Sequence, residues 1–87
     1  MILSGQEPVS GTVAVLSVPA GPCSLTLSTS GGTAYIGTSG SVSTANGFGL
    51  AAYPIEINAY EGSRACTVFA TVAGGTVVTN WLLSTAT

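Results

Sequence analysis

The stretch CTVFATVAGGTVVTNWLL, residues 66–83, has β-branched and aromatic residues alternating with small or polar ones on both sides of Gly74-Gly75. Ala73-Gly74-Gly75-Thr76 has the spacing of a two-residue hairpin, which sets the register of the strands it joins. Counting outward, Val72 is expected opposite Val77, Ala70 opposite Thr79, Val68 opposite Trp81 and Cys66 opposite Leu83. Side chains repeat every second residue along a strand, so these positions share one face, read as the core face. On the other face Thr71 is expected opposite Val78, Phe69 opposite Asn80 and Thr67 opposite Leu82. Phe69, Val78 and Leu82 are more than a solvated face needs. Either a loop or second sheet covers them, or a subunit interface does.

Working upstream, Glu61-Gly62-Ser63 reads as a turn, and Ile55-Glu56-Ile57-Asn58-Ala59 alternates with Ile55, Ile57 and Ala59 inward. Asn46-Gly47 reads as a turn because both residue types tolerate positive φ, after which Phe48 and Leu50 fold back to cap the core. Thr38 to Asn46 is small and polar apart from Val42, and is read as a loop with a short edge strand. Gly31-Gly32 predicts a hairpin whose return strand is Thr33–Gly37. Before it, Ser24–Thr29 places Leu25 and Leu27 on one face and Ser24, Thr26 and Ser28 on the other. Pro19-Ala20-Gly21-Pro22 ends a strand at Thr12–Val18. Residues 1–11, with Gly5, Pro8 and Gly11, read as an irregular N-terminal arm.

No stretch has apolar residues at helical spacing over three turns. The expected architecture is all-β: a small antiparallel β-sandwich or barrel of about six to eight short strands. Residues 12–87 form its single β domain, preceded by the arm at 1–11. At 87 residues there is one core, and partner contacts would add disproportionately to its modest stability.

Charge is nearly missing. The ionised side chains are Glu7, Glu56, Glu61 and Arg64, yet 46% of the chain is apolar, so it forms a core and hydroxyls wet its surface. A single Arg without Lys cannot neutralise a phosphate backbone, which excludes nucleic acid as a partner. Runs such as Val13-Ala14-Val15-Leu16 fall far short of the roughly 18–20 residues that span a bilayer, so no membrane segment is expected. Met1-Ile2-Leu3-Ser4 has no basic region leading an apolar one, so synthesis in the cytoplasm is expected.

With no His, Lys or Asp, a Ser-His-Asp triad, a Cys-His pair, a P-loop lysine and a histidine-based metal centre are impossible within one chain. No catalytic, metal or cofactor site is expected. Cys23 and Cys66 lie far apart without CxxC spacing and cannot complete a zinc shell. They are read as buried reduced thiols, with a disulfide between neighbouring strands left open. Trp81 falls on the core face, and Tyr35 points away from Ala34 and Ile36. Tyr53 and Tyr60 flank one strand and are free to meet a partner.

The segments Ala34-Tyr35-Ile36-Gly37 and Val42-Ser43-Thr44-Ala45-Asn46-Gly47-Phe48-Gly49-Leu50 resemble small structural proteins of tailed bacteriophages, notably those infecting actinobacteria. These share a Tyr-Ile-Gly strand, a Ser/Thr loop and an Asn-Gly-Phe turn. The likeness follows strand order from about Thr12 to Leu83. This chain departs from it at Ala51-Ala52-Tyr53-Pro54, where a Gly or Pro-Ala-Gly turn is usual. The resemblance implies a non-enzymatic head decoration or minor capsid protein on the virion surface, bound to the major capsid protein as a homo-oligomer, commonly a trimer. The contact residues expected are Ile2 and Leu3 on the arm, Phe69, Val78 and Leu82 on the mixed face, and Tyr53 and Tyr60. Deletion of residues 1–10 is expected to abolish shell binding and leave the domain folded. Other expectations are a receptor- or glycan-binding module of a fibre, using Tyr53 and Tyr60, and a tail or connector subunit.

Overall fold

Strands form where small hydroxyl residues alternate with Val, Leu and Ile, because such sequences suit a pleated surface buried on one side. The computed structural model describes residues 1–50, 55–59 and 64–85. In chain order the strands are β1 (Ile2–Val9), β2 (Val13–Val18), β3 (Cys23–Ser30), β4 (Ala34–Gly37), β5 (Phe48–Leu50), β6 (Ile55–Ala59), β7 (Cys66–Thr71) and β8 (Val77–Thr85). They make two four-stranded antiparallel sheets, β1-β8-β3-β6 and β2-β7-β4-β5, packed as the small β-sandwich that the alternation predicts.

Period-two alternation sorts the residues between interior and exterior as expected. In β3, Leu25, Leu27 and Thr29 are buried, while Ser24, Thr26 and Ser28 between them are half-buried. Val68 and Ala70 of β7 and Val77, Thr79 and Leu83 of β8 are also buried. Leu50, nearly inaccessible, closes the core from β5. Burying a Leu or Val fully stabilises by about 1.5–3 kcal/mol, so the interior of both sheets is the main source of stability.

Pairing differs from the expectation at both glycine pairs. β7 belongs to one sheet and β8 to the other, so residues 72–76 are not a hairpin and Val72/Val77, Ala70/Thr79, Val68/Trp81 and Cys66/Leu83 are not cross-strand pairs. Nor are Thr71/Val78, Phe69/Asn80 and Thr67/Leu82. The connection carries the chain across the roughly 10 Å between stacked sheets. Leu83 is instead flanked by Leu3 and Leu25, and Trp81 by Gly5 and Leu27. Gly31-Gly32 crosses in the same way, with φ of +94° and +150°, and delivers β4 to the second sheet beside β7. These left-handed angles serve a step between layers as well as a hairpin.

The first eleven residues also differ from the irregular arm expected. Ile2–Val9 is an edge strand in unbroken register with β8, from Ile2 opposite Ser84 to Val9 opposite Val77. An edge strand is paired on one flank only, so it tolerates Pro8, and its inner face here needs little apolar content beyond the fully buried Val9.

The loop from Thr38 to Gly47 forms turns with no short strand. The Asn46 carboxamide accepts from Ser43 N–H at 2.8 Å, and Gly47 N–H donates to the Ser43 carbonyl at 2.8 Å. Neither Asn46 nor Gly47 has positive φ. Gly47 is required by crowding: a Cβ there would lie 2.8 Å from Tyr35 Cβ and 2.9 Å from Val42 Cγ2.

Two buried threonines occupy neighbouring positions on the inner face, Thr29 opposite Thr79. Thr29 Oγ1 donates to the Gly32 carbonyl at 2.8 Å, with the Leu50 carbonyl at 3.3 Å. Thr79 Oγ1 finds no hydrogen-bond partner among the described residues, although its residue is fully buried. Thr79→Val is therefore predicted to stabilise the fold by about 1 kcal/mol, and Thr29→Val to destabilise it by about 1–2 kcal/mol, read from urea midpoints. Deleting residues 1–10 removes an integral strand with Val9. It is predicted to lower stability by at least about 3 kcal/mol in the same assay, where an appended arm would leave the midpoint unchanged.

Candidate interaction surface

Register determines which side chains leave the sandwich. On the first sheet β1 presents Ile2, Ser4, Gln6 and Pro8 outward, β8 presents Val78, Asn80, Leu82 and Ser84, and β3 presents Ser24, Thr26, Ser28 and Ser30. None of these residues is charged; Glu56, exposed on β6 beside Thr26, is the nearest carboxylate along the rows. Side-chain amides tie the middle of the face together. Gln6 Nε2 donates to Asn80 Oδ1 at 2.9 Å, and Asn80 Nδ2 donates to Ser30 Oγ at 3.2 Å. Around this polar bar stand Ile2, 70% exposed, Leu82, 46% exposed, and half-buried Val78.

The expected contact residues are thus divided. Ile2, Val78 and Leu82 share the outer face of the first sheet. Phe69 lies on the outer face of the second, because β7 and β8 are in different layers. It is half-buried beneath the Thr38–Gly47 loop, where a Cβ on Gly40 would come within 3.8 Å of its ring. The alternatives of cover and interface therefore separate: the loop covers Phe69, while Val78 and Leu82 remain outside. Leu3 points to the opposite side of β1 from Ile2, opposite Leu83 at the open end of the sandwich, near Pro19 and Pro22. Tyr53 and Tyr60 lie outside the described residues.

A second feature escaped the sequence reading. A cleft of about 430 Å³ opens between the β6 edge of one sheet and β4–β5 of the other, lined by Leu27, Ile36, Phe48, Ile55 and Val68 with Glu56 at its rim. Leu50 caps the core as expected, but Phe48 is 59% exposed and does not. Both alternate onto one face of β5; Phe48 is paired with Ile36 at the end of that short strand. The only signal in the sequence was this Phe-Gly-Leu alternation, and alternation says nothing of depth.

Contrary to the buried thiols expected, Cys23 is only half-buried on β3 and Cys66, expected on the core face, is exposed because it starts β7 at the end of the sheet; both are free thiols, in different sheets. Among the described residues no group of three His, Cys, Asp or Glu side chains gathers, and no helix is long and apolar enough to cross a membrane. Comparisons of the chain with protein-family models, with curated proteins and with solved structures find no match.

One contact holds the edge of the face in place. Half-buried Trp81 lies against the backbone of Gly5, so closely that a Cβ at residue 5 would stand 2.7 Å from Cζ2 and 2.9 Å from Cε2 of the indole. Gly5→Val ordinarily favours an exposed strand by propensity. Here it is predicted to cost about 1–3 kcal/mol by lifting the ring or the strand. The check is a lower melting temperature together with a red-shifted emission from Trp81, the only tryptophan.

Proposed function

We propose that the chain is a non-enzymatic decoration protein of a tailed-phage head, binding the outer surface of the shell through the outer face of the β1-β8-β3-β6 sheet and stabilising it. The observation that carries this reading is the absence of charge on the outward positions of β1, β8 and β3 around exposed Ile2 and Leu82. Docking the β1, β8 and β3 part of this face, with Glu56 of β6 left at its margin, strips water from hydroxyls and amides but from no ion, which removes the largest desolvation penalty an interface meets. Ser and Thr hydroxyls rotate to donate or accept, so they adapt to the polar groups of a major capsid protein. Protein–protein interfaces are likewise depleted of charge at their centres.

Stabilisation of the shell then follows from mass action, since a ligand that binds only the assembled state shifts the equilibrium toward it. The contact runs through a strand locked into the sheet, not through a free arm. A chain without His, Lys or Asp holds no Ser-His-Asp triad, Cys-His pair or lysine base, in keeping with a binding role.

The test is co-sedimentation with heads stripped of their minor proteins. The Ile2→Ser, Leu82→Ser double variant is predicted to weaken binding at least about tenfold, because both side chains lose apolar area that the shell would cover. Tyr35→Ser, on the far sheet, serves as the control. Full binding by the double variant with loss in the control would move the contact to the other face.

A further inference from the structure

We propose that β1 pairs antiparallel with β1 of a second copy about a two-fold axis through Gly5, joining two first sheets into one continuous sheet. Sandwich edges present unpaired backbone groups, and proteins guard them with short strands, bulges, charge or proline. Three edges here carry such a guard. β5 has three residues, β2 breaks register between Ala14 and Leu16, and β6 carries exposed Glu56. β1 runs eight residues in unbroken register and carries its charge and its proline only at one end, in Glu7 and Pro8, so the stretch from Ile2 to Gln6 has neither.

The hydrogen-bond phase identifies the groups left over. Met1 and Thr85 exchange backbone bonds at 3.2 and 2.9 Å, so alternate residues Leu3, Gly5, Glu7 and Val9 direct their backbone groups toward β8. Ile2, Ser4, Gln6 and Pro8 direct theirs to the free edge. Pro8, lacking an N–H, stands at the far end of that row and leaves Ile2, Ser4 and Gln6 as donors.

The second copy is argued from register, charge and area. Opposed residues share a face, so an axis on Gly5 normal to the sheet sets Ser4 against Gln6 of the second copy and Ile2 against Pro8 of the second copy. Both outer faces then lie on one side. Highly exposed Ile2 comes beside Pro8 and one strand from Val78 of the second copy. Gly5 meets its own image, which leaves room for the two indoles lying on those glycines to approach across the axis. The two Glu7 backbone positions stand about 14 Å apart, beyond the roughly 8–10 Å over which exposed charges interact in salt. Centring on Gln6 halves that distance, and centring on Ser4 shortens the overlap to residues 2–6. One outer face spans about 450 Å² from strand spacing and rise, against about 800 Å² per partner in a stable interface. Two coplanar faces reach that size. This last point rests on the proposed function, and it replaces the trimer implied by resemblance with a two-fold unit.

Sedimentation equilibrium of the purified chain without any shell tests the pairing. A dimer with a dissociation constant of about 10–100 µM is expected from so small a contact, with Trp81 emission moving to shorter wavelength as it forms. Ser4→Lys with Gln6→Lys opposes like charges at both symmetry-related pairs and should weaken it about tenfold. Ser4→Lys with Gln6→Glu opposes unlike charges and should return affinity to within about threefold of the parent. Both substituted positions, Ser4 and Gln6, face solvent in a single copy, so folding is checked by circular dichroism. A parent that stays monomeric at about 500 µM overturns the pairing, as does a double-lysine variant of parental affinity; failure of the Lys/Glu variant to recover overturns the register. A dimer that ignores phage heads counts against the proposed function and leaves the pairing standing.

Discussion

Strand β8 is held on both flanks along its length, by β1 from Ile2 to Val9 and by β3 from Cys23 to Ser30. Everything else in the first sheet takes its position from that double pairing. The inward residues of β8, Val77, Thr79 and Leu83 with half-buried Trp81, set one wall of the interior. Its outward residues run down the middle of the exposed face. A central strand satisfies its backbone on both sides, which leaves the side chains alone to decide what each face does.

The interior keeps one polar inconsistency. Thr79 is fully buried with a hydroxyl unpartnered among the described residues, directly opposite Thr29, whose hydroxyl is bonded. An unmet buried hydroxyl costs more than the methyl that would replace it, so this position is not tuned for stability. On the exterior the polar groups are neutral, adaptable and tied to one another through Gln6 and Asn80. Neutrality has a consequence for association as well as for docking: copies of a nearly uncharged surface meet little long-range repulsion, so short-range hydrogen bonding and shape govern what they join. That is why an edge strand whose free stretch lacks charge and proline matters more here than it would on an ordinary charged domain.

The strands and their buried faces were legible because alternation is a property of consecutive residues. Leu25 and Leu27, Val68 and Ala70, and Val77, Thr79 and Leu83 could be assigned inward from spacing alone, and the all-β class follows from them. Strand β1 was not legible. Ser4, Gly5, Gln6 and Glu7 lack apolar alternation, and the feature that makes Gly5 belong in a strand is an indole from a residue distant in sequence.

The composition and alternation of this chain thus specify its strands, their inward sides and its shortage of ionised groups, because these depend on neighbours within a few residues. Which strand lies beside which is a matter of the assembled fold. Glycine pairs at 31–32 and 74–75 permit either a hairpin or a step between layers, and the same local angles serve both. The choice rests on how the two sheets bury the most apolar surface together, a sum over residues far apart in the chain. That sum puts Phe69 under a loop and leaves Leu82 in the open.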